Sequence, residues 1–405
     1  MNLPKVKGYW CLCGVRFSTS IALWIDFILI FSVLTFGFHS STEKIGLAAA
    51  MYGIPPLILG PVFGRMIDKV NLFRFIPISF TLRCAASCLL FVASTEDIFL
   101  LLVFFKGLSN LGSAASEIVL TRKLLDDSDI PKNTAFITVV DQFIKVCSPL
   151  VAGVVASLSD KSSGFLFSAL FSLAGLIFSI ALWRLHGKTL KTHTATERTL
   201  GSLAAIRKLY ASGPSTQLFL LCSLAQSGVL GFYDSMLGTL LKTLSLGPSA
   251  FGIVVSATAL GGVSAGFAFK YLYPSKALLC STISLMIYGV CIMFSGVVAI
   301  LQLPFALILF IAVFFLSGIA YSLTSMAFAV TLQKSCSPSH LGFISSSARS
   351  LTLTLLIGGP VIGGFVGRIT SIETVFMIAG LSAIVIGLAL HLKYAQAVID
   401  RTLEA

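Results

Sequence analysis

Charge is scarce in this sequence. Asp, Glu, Lys and Arg make up only 11% of the 405 residues, under half of the roughly 25% found in soluble domains. That scarcity excludes an ordinary water-soluble fold. Histidine is sparse as well, and the five (His39, His186, His193, His340 and His391) fall at the ends of apolar runs or between them. Such scatter argues against a membrane-embedded metalloenzyme. The nine cysteines contain no CxxC…CxxC frame; most lie inside apolar runs, where cysteine packs as a small hydrophobe. No Gly-x-x-x-x-Gly-Lys-Ser/Thr phosphate loop occurs, so ATP is not a direct energy source. A membrane enzyme such as an acyltransferase would need a nucleophile, base and acid near one interface. The stretch "SPSHLG" (Ser337 to Gly342) has no acid beside it. Neither a cofactor nor a bound metal is expected.

What the chain has is long apolar runs. Hydrophobic residues make up 56% of it and mean hydropathy is +0.97. Runs of about 20 apolar residues match the hydrocarbon thickness of a bilayer. Charged and Gly/Pro/Ser punctuation divides them into twelve spans: 14–38, 45–67, 74–94, 98–121, 133–158, 164–185, 215–241, 249–271, 276–298, 304–330, 343–366 and 372–393. Only helices or a closed barrel satisfy their own backbone in lipid, and spans of this length predict an all-α integral membrane protein. The basic start, "MNLPKVKGYWCLCGVRF", has no small-residue cleavage site after it and is expected to remain as the first span.

The basic residues give the orientation. With the N-terminus in the cytoplasm, 21 of the 28 Lys and Arg residues fall on the inner face, four on the outer face (Lys44, Lys161, Lys242, Arg368) and three (Arg83, Lys106, Lys145) within spans. This satisfies the positive-inside rule and places both termini in the cytoplasm, with a bacterial inner membrane as the expected location. The net charge of +12 is then a topology signal. Anionic lipid is a sufficient partner for it, and nucleic acid is not.

The longest polar stretch, 186–214, falls near the middle and divides the chain into residues 1–185, a cytoplasmic linker, and residues 215–405. Within it, "SLAAIRKLY" has the pattern of a short amphipathic interfacial helix. The two halves echo each other. Gly60-Pro-Val-Phe-Gly64 in the second span is matched by Gly262-Val-Ser-Ala-Gly266 in the eighth, each followed four residues later by a charge, Asp68 or Lys270. "CSPLVAG" (Cys147 to Gly153) in the fifth is matched by "GGPVIGG" (Gly358 to Gly364) in the eleventh. Similar offsets for two independent matches predict two pseudo-symmetric six-helix bundles. Pro149, Gly153, Gly359, Pro360, Gly363 and Gly364 are the expected helix-packing positions.

Gly64-Arg65-Met66-Ile67-Asp68-Lys69-Val70-Asn71-Leu72-Phe73-Arg74 resembles the Gly-x-x-x-Asp-Arg/Lys-x-Gly-x-x-Arg/Lys pattern of the major facilitator superfamily. Asn71 replaces the usual Gly and is expected to tolerate the same left-handed backbone. The segments "ASEIVLTRKLLDDSDIPKNTAFITVVDQFIKVCSPLVAG" and "TLQKSCSPSHLGFISSSARS" resemble the macrolide-efflux and enterobactin-exporter branch, although Ser148-Pro149 stands where that branch usually has Gly-Pro. The resemblance implies a monomer with spans one, four, five and seven around a central cavity. It also implies a latch: Gly64, Arg65, Asp68, Lys69 and Arg74, with Asp68 meeting the start of the eleventh span near Ser345-Ser346-Ser347. The basic residues of the latch are expected to reach Asp126, Asp127 or Asp129.

Charges inside the bilayer carry the rest, since an ionised side chain at its centre costs about 2.5–3.5 kcal/mol on insertion scales. Asp26 has no basic residue at i±4 and is the first candidate for proton coupling, ahead of Asp141 and Asp234. Pairing of Asp26 with Arg83 or Lys145 is the alternative. Asp141 and Lys145 are spaced i, i+4 and are expected to pair. Lys106, Asn110, Gln142, Lys145, Gln226 and Tyr233 are candidates for a substrate cavity. The expected function is alternating-access secondary transport of a small molecule: proton-coupled efflux of a hydrophobic, drug-like or siderophore-like compound. Import of a nutrient or siderophore on the same scaffold is the rival, and a transport-inactive sensor or scaffold is the alternative of another class.

Overall fold

The computed structural model of the chain describes residues 6–38, 40, 42–158, 164–186, 202–211, 213–246, 248–273, 277–336 and 340–403. Among these there are helices and no strands. The first half contains α1 (Tyr9–Ser32), prolonged by a π-helical turn (Val33–Gly37), α2 (Thr42–Lys69), α3 (Leu72–Val92), α4 (Glu96–Ser109), α5 (Ser113–Leu124), α6 (Ile130–Leu158) and α7 (Gly164–His186). A short α8 (Ser202–Ala211) follows. The second half contains α9 (Pro214–Tyr233), a 3-10 turn (Asp234–Met236), α10 (Leu237–Thr243), α11 (Pro248–Leu272), α12 (Ala277–Ile300), α13 (Ala306–Ser335), α14 (Leu341–Ile369) and α15 (Ile372–Leu403). Among the described residues, 11 helical segments are long and apolar enough to cross a membrane. The segment that completes twelve spans is α6, which has 29 residues and carries Lys132, Asp141 and Lys145.

Two expected single helices are interrupted. The fourth span breaks at Asn110 to Gly112, where Gly112 takes φ +75° and an added Cβ would lie 2.7 Å from Ile67 Cδ1. The seventh breaks at the 3-10 turn that begins with Asp234. Asn71 is extended, at φ −71°, and not left-handed. It acts as the N-cap of α3, its Oδ1 accepting from the Phe73 N–H at 3.0 Å, which is the usual Asn role at a helix start. α8 turns Ile206 and Leu209 towards the protein and leaves Arg207 exposed.

The core shows which end of the molecule is shut. One apolar cluster (Ile25, Leu29, Phe99, Phe165) lies within the first half; another (Tyr233, Tyr288, Phe314, Phe376) lies within the second. Two further clusters mix the halves. Leu12, Ile67 and Phe73 pack with Leu209, Leu332 and Phe343, and Tyr9, Ile130 and Ala135 pack with Phe219, Phe269 and Val330. These residues come from the starts of α1, α3, α6, α9 and α14, the ends of α2, α11 and α13, and α8, all on the face rich in Lys and Arg. A Cβ added to Gly53 of α2, Gly213 before α9, Gly252 of α11 or Gly358 midway along α14 would meet nothing within 4 Å.

The two Gly-x-x-x-Gly repeats are the close crossings between halves. A Cβ at Gly64 would lie 2.6 Å from the Gly342 carbonyl oxygen and 2.6 Å from Ser346 Oγ, and one at Gly60 would lie 3.1 Å from Ser350 Oγ. A Cβ at Gly262 would lie 2.7 Å from Gln142 Nε2, and one at Gly266 would lie 2.4 Å from Val139 Cγ2. Thus α2 meets α14 and α11 meets α6, each through a glycine seat that lets backbones approach.

Candidate functional site

Asp68 lies in the last turn of α2 and caps the start of α14. Its Oδ1 accepts from the Gly342 N–H at 2.7 Å and its Oδ2 from the Phe343 N–H at 2.8 Å. These N–H groups have no partner within their own helix, and the helix dipole favours a carboxylate there. The contact falls one turn before the Ser345–Ser347 stretch named from sequence. Arg65 stacks over the Phe343 ring, 4.4 Å from its centroid. Lys69 and Arg74 are exposed. Asp127 and Asp129 do not meet the latch; Arg122 takes Asp127 and Lys132 takes Asp129 at 2.7 Å. Short local pairs form at less entropic cost than long reaches between loops.

Between the halves, beyond this closed end, lies a charged group that straddles three helices. Arg16 is seven residues, about 10 Å, into α1. Its Nη1 donates to Glu117 Oε2 on α5 at 2.7 Å, and its Nη2 to Asp141 Oδ2 on α6 at 2.7 Å. Ser20, one turn along α1, donates to Asp141 Oδ1 at 2.7 Å. The Asp141 side chain keeps 32% of its surface accessible and that of Glu117 keeps 8%. Arg349, on α14 of the other half, is exposed, and Arg16, Glu117 and Asp141 are the charges near enough to act on it.

The expected Asp141–Lys145 pair does not form. The guanidinium of Arg16 offers Asp141 a straight charge-assisted bond, and Lys145 instead lies 6.0 Å from the Trp24 ring centroid. Lys145 is also the charge that acts on Asp234, which is exposed at the end of α9.

Asp26 is not unpaired. Its Oδ2 lies 3.0 Å from Lys106 Nζ, and both side chains are sealed, at 1% and 0% exposure. Lys106 also donates to the Arg83 carbonyl at 3.1 Å and to Ser87 Oγ. Lys106 therefore serves the interior of the first half. Asn110, at the α4–α5 break, donates to Tyr52 Oη at 3.1 Å. Gln142 packs over Gly262. Gln226 is buried and donates to the Tyr321 carbonyl at 2.8 Å. Tyr233 is core, not cavity: it is 2% exposed and its hydroxyl meets Tyr288 Oη at 3.0 Å. Gly359 and Gly363 seat α14 against Gly231 and Phe232 of α9, and Gly364 makes only an ordinary contact with Met236. Pro360 is inside α14. Pro149 and Gly153 lie in α6, where their side-chain surroundings fall outside the described residues.

Sequence reasoning passed over Arg16, Glu117 and Arg349. Arg16 and Arg349 had been sorted to the inner face as topology charges. Glu117, inside the fourth span, was an intramembrane acid and should have been weighed with Asp26 on that ground alone.

The family model described as Major Facilitator Superfamily matches residues 12–355. A relative from Bacillus subtilis (strain 168), the uncharacterized MFS-type transporter YfiS, is 23% identical over 390 residues, which is 94% of this chain and 92% of that protein. The crystal structure of the human organic anion transporter MFSD10 (TETRAN) superposes with TM-score 0.77 at 14% identity, covering 94% of this chain and 98% of that one. A bacterial homologue of the iron transporter ferroportin, in an outward-facing state, gives TM-score 0.75 at 15% identity, covering 96% and 99%. At these identities the two structures show a shared fold.

Proposed function

The chain belongs to the Major Facilitator Superfamily, and on that premise we propose that it is a proton-coupled secondary transporter that exports an amphipathic organic compound by alternating access. The observation that carries this reading is the Arg16–Glu117–Asp141 group on the wall between the halves. A carboxylate with accessible surface inside a membrane span is costly, and here it sits where a ligand and a proton both have access. Asp141 replaces Asp26 as the first coupling candidate, because Asp26 is sealed against Lys106.

The basic face is the cytoplasmic one by the positive-inside rule. The described conformation then faces outward, with Asp68 and the α2–α14 crossing holding the inner end shut. Export requires the opposite state, reached when that latch opens and the wall charges turn towards the cytoplasm. The wall mixes charge with apolar surface: Lys145, the charge that acts on Asp234, stands 6.0 Å from the Trp24 ring centroid. That combination suits a drug-like or siderophore-like compound with an apolar body and a polar or charged end.

A melting-point screen of purified protein against antibiotics, siderophores, lipids and amino acids identifies the class, since ligands raise apparent stability. Flux of the hit in proteoliposomes then decides direction. Accumulation only when the gradient favours uptake would establish import instead, and binding without flux would make the protein a sensor.

A further inference from the structure

We propose that one internal water bridges the Arg83 guanidinium to Glu117 and so adds Arg83 to the Arg16–Glu117–Asp141 group. Arg83 lies midway along α3 and is 2% exposed. Its Nε and Nη2 have no acceptor. These two atoms form one edge of the guanidinium, and their N–H bonds run parallel as a fork. A bare charged fork in a protein interior carries the full cost of its lost hydration. Arg83 lines a small cavity with Thr19, Ser79, Ser113, Ser116 and Glu117, which has room for about one water molecule.

Hydrogen bonding selects the occupant. Thr19 donates its hydroxyl proton to the Val15 carbonyl at 2.9 Å and Ser116 donates its own to the Ser113 carbonyl at 2.8 Å. Both oxygens therefore turn only lone pairs to the cavity. Glu117, paired with Arg16, offers carboxylate oxygens. The hydroxyls of Ser79 and Ser113, 3.4 Å apart, can each donate or accept. The lining thus holds the Arg83 donors together with acceptors from Thr19, Ser116 and Glu117. Water, which both donates and accepts, matches this mixed set.

With the water in place, the chain of hydrogen bonds runs from Ser20 and Asp141 through Arg16 and Glu117 to the water and the Arg83 guanidinium, across α1, α3, α5 and α6. The backbone carbonyl of the same Arg83 separately accepts from Lys106, which pairs with Asp26. Arg83 is a positioning residue here: it acts on Glu117 through the water and touches no transported compound. This network does not depend on what the protein carries.

Two measurements test it. An experimental map that resolves ordered water is expected to show a peak within hydrogen-bond reach of both the Arg83 fork and Glu117. Ser116→Val fills the cavity and displaces its occupant. With Arg83 present, its melting temperature is expected to fall by several degrees; in an Arg83→Met background the same change is expected to cost little, a coupling of the kind a double-mutant cycle isolates. A dry void behaves oppositely, because filling it adds packing. An empty cavity in the map, or a melting temperature that holds or rises in Ser116→Val, overturns the proposal.

Discussion

The carboxylate of Asp68 accepts the backbone N–H of Gly342 at 2.7 Å, across 274 residues of sequence. With the second bond, to Phe343, it ties the end of α2 to the start of α14 and shuts one end of the molecule. Hydrogen bonds to charged groups are worth about 1.5–3 kcal/mol each. Removing the carboxylate in Asp68→Ala is expected to favour opening of that end by about tenfold or more, since 1.4 kcal/mol is a factor of ten. Cys13, buried in the mixed apolar cluster of the shut end, reports it: its maleimide labelling rate in membranes should rise. An unchanged rate contradicts the latch.

A paired substitution tests the glycine seat. Gly64→Val places a Cβ 2.6 Å from the Gly342 carbonyl oxygen, whereas Gly53→Val, on the same helix, meets open space. The first is expected to prop the basic face open and raise Cys13 labelling; the second is expected to leave labelling at the wild-type rate. Equal behaviour of the two removes the argument that close backbone approach closes this face.

Asp26→Asn leaves Lys106 sealed without its counter-charge. Breaking a buried pair from one side costs about 3–5 kcal/mol, so a large fall in melting temperature is expected. Lys106→Met in the Asp26→Asn background removes the stranded charge and is expected to recover much of the loss. If Asp26→Asn melts as the wild type does, the sealed pair is not holding the first half together.

How much of this was legible in the sequence follows from the range of the forces involved. Span length, the all-helical fold and the two glycine repeats are local signals, set by hydrocarbon thickness and helical periodicity, and they were readable. Asp68 at the head of the eleventh span came from family resemblance rather than from spacing. Pairing was not readable: Asp141 had Lys145 one turn away on its own helix, yet it chose Arg16, 125 residues distant. Asp26 chose Lys106 for the same reason, since the fold, not the sequence neighbourhood, decides which opposite charge arrives. Arg16 and Arg349 were misplaced because a charge about two turns inside a helix looks, in a linear reading, like one at its end. The break at Gly112 was hidden inside an apolar run whose hydropathy does not record backbone handedness.

The most direct test of the account is ligand flux in proteoliposomes under an imposed pH gradient, comparing wild type with Asp141→Asn and using a ligand found by the melting-point screen. The account predicts that the gradient drives wild-type flux against the ligand's own gradient. In Asp141→Asn this uphill movement is lost, while ligand-for-ligand exchange persists. Uphill flux that survives in Asp141→Asn, or wild-type flux indifferent to the pH gradient, contradicts it.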